Sequence, residues 1–269
     1  MEGLVKYYSR PKLKSPNMLA AWPGIGNVAL IVASYLRKQL EFKRLAEIAA
    51  PHFFNPIGVV VKNNVVEAPQ FPMSQFFYWK NRKKEGSDLI LFIGDDQPVM
   101  RGYELAHTVL DVGMRFGVQR YYTCAAALTH IHHTEPSRVW GVATNRNLVN
   151  ELRQYDLIQG GNLQIAGLNG LLLGVAKVRK LNGICLLGEV PMYATRIPNP
   201  VAALAVLDAL RIMLDINIDM TEMEQIAAES QEKMKQLVAE AMGDYINYFT
   251  EPIWEQDEEG DEGDEEEEE

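Results

Sequence analysis

The 269-residue sequence has few cysteines, no long apolar run and no excess of positive charge. Its two cysteines, Cys124 and Cys185, lie in separate apolar runs, so neither a zinc knuckle nor a disulfide framework is expected and both are interpreted as buried free thiols. No apolar run approaches the ~20 residues that cross a bilayer. The amino terminus also lacks the charged start and apolar core of a signal peptide. These absences predict a cytoplasmic protein that has no membrane partner.

Negative charge is concentrated at the carboxyl end of the chain. The last 15 residues, from Glu255 onward, carry 12 of the 36 acidic side chains and no basic or hydrophobic one. The rest of the chain holds 24 acidic against 26 basic residues, so its net charge is close to zero. Nucleic-acid binding is therefore not expected, because it needs clustered Lys and Arg. Acidic runs repel each other and bury nothing, which predicts a disordered acidic tail over residues 251–269.

Apolar runs of strand type alternate with helical patterns along most of the chain. The predicted helices cover residues 28–40, 102–116, 147–154, 170–180 and 201–214, with Asn199 as the cap of the last one and Pro200 at its first position. The predicted strands cover residues 17–22, 57–66, 71–80, 88–94, 118–128, 138–143 and 183–188, and the second and third are expected to be joined by a turn. Alternation with continuous apolar strands predicts an α/β sheet covered by helices on both faces. We expect this α/β domain to span residues 1–220.

A helix is predicted over residues 221–250. Thr221 and Glu224 match a capping box, which marks a helix start. Apolar or small residues follow at steps of three and four, including Met223, Met234 and Leu237. This seam has two interpretations: it packs back onto the body, or it forms an interface in a homo-oligomer.

Three loops that follow predicted strands carry residues suited to binding chemistry. Gly24, Gly26 and Asn27 lie in a glycine turn between a strand and a helix, which matches the pattern of a dinucleotide-binding loop. That interpretation also needs a second strand ending in an acid, and although Glu47 has the right spacing, residues 44–50 are a poor strand pattern. A structural tight turn is the alternative.

Acidic and histidine side chains occupy the other two loops. Asp95 and Asp96 follow the strand 88–94, where two carboxylates could hold Mg²⁺, or could simply be a solvated loop. His130 and His132 share a face if the chain there is extended, as a divalent metal site requires. Spacing fixes no third ligand, so a polar loop explains the histidines equally well. If the preceding strands are parallel, all three loops lie at one edge of the sheet, where a cleft would form.

Several segments in this order resemble one known family. They are Trp22-Pro-Gly-Ile-Gly-Asn-Val-Ala29, Ile90-Leu-Phe-Ile-Gly-Asp-Asp-Gln97, Val139-Trp-Gly-Val-Ala-Thr144, Gly167-Leu-Asn-Gly-Leu-Leu-Leu173, Glu189 and Asn199-Pro-Val-Ala-Ala203. Together they resemble the proteasome assembly chaperone family, of the second-chaperone type, over roughly residues 17–248.

The resemblance carries expectations about fold and activity. It implies a three-layer α/β/α sandwich similar to nucleoside phosphorylases, followed by a C-terminal helical extension, in a cytoplasmic and usually oligomeric protein. Prokaryotic members often bear the label of distant carboxylate-amine ligases of the ATP-grasp type. The resemblance implies no catalytic residues, and none is assigned. Relatives that engage proteasomes directly end in a hydrophobic residue, Tyr and any residue, whereas this chain ends in Glu265 to Glu269, so docking of that kind is not expected.

Two functions follow as hypotheses. The first is a non-catalytic homo-oligomer that acts on a protein partner through surface contacts and needs no cofactor. The alternative is an enzyme that binds a nucleotide or a metal-bound phosphate in the cleft formed by Gly24, Gly26, Asn27, Asp95, Asp96 and His130.

Overall fold

The computed structural model of the protein describes residues 3–56 and 58–250. The tail predicted over residues 251–269 lies outside the described residues. One sheet of eight strands organises the chain, in the order β1-β3-β6-β7-β2-β8-β10-β9. The strands are β1 (Val5–Tyr7), β2 (Asn17–Ala21), β3 (Lys43–Ile48), β6 (Ser74–Trp79), β7 (Leu89–Gly94), β8 (Arg120–Thr129), β9 (Val139–Ala143) and β10 (Gly183–Pro191). Two further strands, β4 (Val61–Lys62) and β5 (Val65–Val66), form a separate hairpin.

The centre of the sheet is parallel. Strands β7, β2, β8 and β10 all run in one direction, while β6 and β9 flank them antiparallel. The carboxyl ends of β2, β7 and β8 therefore meet at a single edge, as the sequence led us to expect. Because these central strands are covered on both faces, their side chains are apolar in succession rather than alternating.

Helices cover the two faces of the sheet. They are α1 (Val28–Gln39), α2 (Gly102–Arg115), α3 (Arg146–Leu152), α4 (Gly167–Val178), α5 (Pro200–Met213) and α6 (Thr221–Thr250). Successive residues of β2 point to opposite faces: Leu19 packs in a core with α1 and α5, whereas Met18 and Ala20 pack in a second core with α2 and α4. The predicted α/β architecture with helices on both faces is confirmed.

Local sequence signals explain several of these elements. Asn199 caps α5, since its Oδ1 accepts a hydrogen bond from the Ala202 amide at 2.8 Å, and Pro200 is the first helical residue. Cys124 and Cys185 are buried free thiols, as predicted. Burial raises the pKa of the Cys185 thiol to about 12, so the thiol stays protonated at neutral pH.

Two strand predictions were wrong. Residues 43–48 form β3, which pairs with β1 on one side and β6 on the other. Residues 57–66 were expected to form one strand, joined by a turn to the strand at 71–80, but they hold the two short strands β4 and β5, and β6 pairs with β3 and β7. The valines at 59–61, 65 and 66 have strand propensity, yet an Asn63-Asn64 turn divides them and closes a short hairpin.

The start of α6 is confirmed, although its cap is not the predicted capping box. Asp219 accepts hydrogen bonds from the Thr221 amide at 3.0 Å and from the Thr221 hydroxyl at 2.7 Å. The Thr221 hydroxyl thus donates to an upstream carboxylate instead of accepting from the backbone. Within residues 3–56 and 58–250, no helix is both long and apolar enough to cross a membrane.

Candidate functional site

The carboxyl edge of β2 and β7 is the place where an open α/β sheet would bind a small ligand. The chain leaves β2 through Trp22 and Pro23, makes a tight turn over Ile25–Asn27 and enters α1. This is the strand, loop and helix order of the predicted glycine turn. The question is whether the turn leaves room for a phosphate.

The glycine turn is packed against the segment that precedes α5. Gly26 has a φ of 62°, and a Cβ placed there would lie 3.0 Å from the Asn199 Cβ. The Gly26 carbonyl accepts a hydrogen bond from the Asn199 amide at 2.8 Å, and the Gly24 carbonyl accepts one from the Asn27 amide at 2.9 Å. Glycine at position 26 is therefore explained by close approach of the protein to itself.

Two side-chain amides close the same loop from the other side. Asn169, on α4, is only 3% exposed; its Oδ1 accepts from the Trp22 amide and its Nδ2 donates to the Trp22 carbonyl, each at 3.1 Å. Gln97 donates from Nε2 to the Pro23 carbonyl and accepts at Oε1 from the Leu168 amide. Asn169 and Gln97 thus take the backbone groups of the loop and join it to α4 and to the end of β7.

These amide residues were missed as site residues in the sequence. Asn169 is the polar residue within an otherwise apolar helical run, a pattern that signals a buried hydrogen-bonding role. In the sequence, Gln97 stands out only as the neighbour of two acids, and Asn199 only as a helix cap. Spacing along the sequence could not predict that Asn169, Gln97 and Asn199 all contact the loop after β2, because their partners lie far away in sequence.

The paired acids do not converge on the glycine turn. Asp95 and Asp96 are both exposed. The Asp95 carboxylate accepts a hydrogen bond from the Met73 amide at 3.1 Å, and the Asp96 carboxylate accepts one from the Gln97 amide at 2.7 Å. The acids therefore order the loop after β7, which is the solvated-loop interpretation of the sequence.

The histidines after β8 lie in another loop, which lines a pocket together with Asn199. His130 is exposed, and the chain turns over residues 131–135 instead of staying extended. The His132 ring lies 4.1 Å from the His133 ring, and the Nδ1 of His133 is 2.9 Å from the Tyr193 hydroxyl. Burial, followed by the charges of His132 and Lys235, lowers the pKa of His133. The described part of the chain contains no group of three His, Cys, Asp or Glu that could hold a metal ion.

Three of the predicted site residues lie in different pockets. Asp96, Asn27 and His132 line three separate pockets. Glu47, which had the spacing of a ribose-binding acid, lies on β3 and accepts from the Tyr8 hydroxyl at 2.9 Å. Two strands, β6 and β7, separate β3 from β2, so Glu47 is not at the glycine turn.

A buried carboxylate lies near the end of β10. Glu189 is 2% exposed; its carboxylate accepts from the Arg138 Nε at 2.9 Å and from the Trp140 Nε1 at 3.3 Å. The hydrogen bond and charge of Glu189 raise the pKa of Arg138. The Glu189 carboxylate therefore joins β9 to β10 through its hydrogen bonds with Arg138 and Trp140, which is a structural role.

The seam of α6 divides into two halves. Met223 and Ala227 are buried against the body of their own chain, and Met234 packs partly on the same core. The Gln231 side chain donates to the His133 carbonyl at 3.0 Å, which is near where the contact with the body ends. Leu237 is 51% exposed. Of the three predicted interface residues, Met223 is therefore used within the chain, while Leu237 remains on the surface.

Comparison with known proteins places the chain in a family. The model of the PAC2 family matches residues 18–238. The crystal structure of PbaB from Pyrococcus furiosus, an archaeal proteasome activator, is 31% identical, with a TM-score of 0.75 over 87% of this chain and 97% of that one.

Two other matches have a lower sequence identity. An uncharacterized protein of Methanocaldococcus jannaschii is 28% identical over 220 residues, which is 80% of each chain. A proteasome-assembly chaperone homologue of Mycobacterium tuberculosis is 21% identical, with a TM-score of 0.69 over 83% of this chain and 95% of that one, a likeness that shows the fold alone. By the family match and by its similarity to PbaB, the chain belongs to the PAC2 family.

Proposed function

We propose that the protein acts on a proteasome through protein contacts and catalyses no reaction of its own. The observation that carries this proposal is the 31% identity to an archaeal proteasome activator over nearly the whole of both chains. The finer classification, the second-chaperone type, belongs to the same proposal and rests on the segments quoted from the sequence. An activating role is favoured over an assembly role because the relative with the higher identity is an activator.

The geometry of the sheet edge supports a function without a small ligand. The loop that would hold a phosphate is bound instead by Asn169, Gln97 and Asn199. A nucleotide there would have to displace three sets of internal hydrogen bonds, and breaking those between Asn169 and Trp22 leaves buried groups unsatisfied. The proposal therefore includes no cofactor.

Self-association through α6 is a further part of the proposal. The helix has 30 residues, and its contact with the body involves the first half. Met234 packs partly on the body, and the exposed Leu237 continues the seam beyond that contact. Replacing both by Glu should lower the molar mass measured by light scattering. Replacing the exposed Glu229 and Lys233 by Ala on the same helix is the control, which should leave the mass unchanged.

The function is tested with purified core proteasome from the same cells. Adding the protein at low salt should raise the rate of peptide hydrolysis and yield a complex that sediments with the proteasome. If the acidic segment from Glu255 onward contributes to the contact, rising salt should weaken binding, because exposed charges are screened within about 10 Å at 0.1 M. A chain with Gln in place of the acids in that segment keeps its length and is the matched variant. The proposal fails if the wild-type protein neither binds nor stimulates the proteasome at low salt.

The absence of a cofactor requirement has its own test. A ligand at 100 times its dissociation constant adds about 2.7 kcal/mol to the folded state, which raises the melting midpoint of a chain of this size by roughly 5 to 10 °C. We expect no such shift with ATP and Mg²⁺. A shift that disappears in Asp95→Asn with Asp96→Asn would instead support the nucleotide or metal hypothesis.

A further inference from the structure

The hairpin formed by β4 and β5 stands apart from the main sheet. Within the described residues its two strands pair only with each other, through Val61 with Val66 and Lys62 with Val65. Asn63 and Asn64 both have positive φ, as the favoured two-residue hairpin turn requires. A hairpin of this size is at best marginally stable in water, and its outer backbone edges are suited to pairing with another chain.

The hairpin exposes apolar side chains that the body does not cover. The five valines at positions 59, 60, 61, 65 and 66 have exposed fractions between 47% and 66%. Nearby, Val99 and Met100 in the loop after β7 are also exposed. Contiguous apolar surface of this kind marks a binding surface on a soluble protein.

A groove of about 700 Å³ lies beside the hairpin. Its lining is mostly apolar and includes Phe53, Phe54, Phe71, Val59 and Val99. The same surface therefore contains both a projecting apolar hairpin and an adjacent apolar recess. We call the hairpin, the groove and the loop 98–100 the valine patch.

The valine patch carries little net charge. Lys62 and Glu67 form an ion pair at 3.0 Å, so their charges neutralise each other. The acidic residue in the groove lining is Asp96. The whole chain has a formal charge of -10. That charge lies in the acidic segment from Glu255 onward, since residues 1–254 hold 24 acidic and 26 basic side chains. Two copies of the nearly neutral body can therefore meet at this uncharged surface at little electrostatic cost, and identical apolar surfaces exclude water equally well from both sides.

We propose that the valine patch binds a second copy of this chain in a two-fold contact, with the hairpin of each copy in the groove of the other. A two-fold contact pairs the same surface with itself, which a surface with a projection and a recess side by side allows. The patch comprises about 20 residues, similar to one side of an interface of standard size. The proposal rests on the homo-oligomer proposed above, and it adds a second surface, separate from α6.

The first test changes the hairpin alone. Val61→Glu with Val66→Glu places two charges on each copy in the contact, and we expect the molar mass in light scattering to fall by half, while circular dichroism shows an unchanged fold. Val178→Glu with Ile212→Glu introduces the same charge at two other exposed apolar positions and is the matched control. An unchanged mass for the hairpin variant, or a wild-type protein that is monomeric throughout, overturns the proposal.

A second test detects the contact directly. Cys124 and Cys185 are buried, so a cysteine introduced at Val66 is the reactive thiol. A bismaleimide should link Val66→Cys chains to Met100→Cys chains, whose cysteine lies in the groove, and should leave Val178→Cys as single chains. This measurement decides the matter if the charged variant fails to fold, and absence of dimers then overturns the proposal.

Mass and cross-linking are both measured without proteasome, so their failure is distinct from failure of the proposed function. A hairpin variant that keeps the wild-type mass but no longer stimulates the proteasome would assign the valine patch to another protein and overturn its occupation by a second copy.

Discussion

Two halves of one sheet edge differ in their surfaces: one is closed by internal hydrogen bonds, and the other exposes apolar side chains. Around the glycine turn after β2, Asn169 and Gln97 bind the loop backbone and little apolar surface is left open. Beside it, after β3 and β7, the hairpin and the loop 98–100 leave valines and a methionine exposed next to an apolar groove. Gln97 belongs to both halves, since it binds Pro23 and lines the groove.

The two halves suit different kinds of ligand. A small ligand needs free polar groups in a concave site, and the first half has given those groups to internal hydrogen bonds. A protein partner needs apolar area that can be removed from water, and the second half has it. The edge that holds ligands in many open α/β proteins is here better suited to a macromolecule.

The largest expected effect comes from opening the closed half. Asn169→Ala removes both hydrogen bonds to Trp22 and leaves a buried amide and a buried carbonyl unpaired, which should lower the free energy of unfolding by about 2 to 5 kcal/mol. Urea denaturation measures this loss. Asn150→Ala changes an exposed asparagine on α3 and is the control. A loss below about 1 kcal/mol would indicate that water enters freely and that the edge is not closed.

A second test asks whether the glycine turn is packed closely against Asn199. Gly26→Ala and Gly117→Ala both place a Cβ at positive φ, which costs about 1 to 2 kcal/mol. Only at Gly26 does the new Cβ also meet Asn199, at 3.0 Å, whereas nothing lies within 4 Å at Gly117. We expect Gly26→Ala to lose more stability in urea than Gly117→Ala. Equal losses would remove the packing argument for glycine at position 26.

The open half should contribute little to the stability of a single chain. Val66→Thr replaces an exposed methyl group and should change the free energy of unfolding by less than about 0.5 kcal/mol. Val206→Thr, in the core between α5 and the sheet, buries a hydroxyl and should lose about 1 to 3 kcal/mol. Both are measured at low protein concentration, so that association does not add to stability. A large loss for Val66→Thr would show that the hairpin packs on its own chain.

The sequence predicted the fold well where a local rule controlled the structure. The continuous apolar runs of β2, β7, β8 and β10 identified a parallel centre, and Asn199-Pro200 identified the start of α5. Residues 44–50 were misjudged because Lys43 and Arg44 begin β3 near the sheet margin, where charged side chains reach solvent. Burial by neighbours, which the chain order does not reveal, decided that strand.

The candidate site was predicted less well, for a related reason. The parallel strands do place the three loops at one edge, as expected. Whether that edge is open depends on Asn169 and Gln97, whose partners are 147 and 74 residues away. The Asn63-Asn64 turn was a readable hairpin signal that the valine-rich run obscured.

The smallest effect is expected for the pH dependence of stability at the start of α6, the helix that carries the exposed Leu237. Hydrogen bonds from the Thr221 amide and then its hydroxyl hold the pKa of Asp219 below its ordinary value of 3.8. A carboxyl group with a lowered pKa stabilises the folded state above its unfolded pKa, and that contribution is lost as the pH falls through the lower folded value.

Asp219→Asn keeps an acceptor at the same position but does not titrate, so other carboxyl groups cancel in the comparison. We expect the wild-type protein to be the more stable of the two near pH 6 and to lose this advantage as the pH falls below 3.8 and through the lower folded pKa. Urea midpoints across that range measure the difference. A constant difference would mean that the Asp219 charge does not help to fix the first turn of α6, and the helix would then depend on Met223 and Ala227 for its attachment.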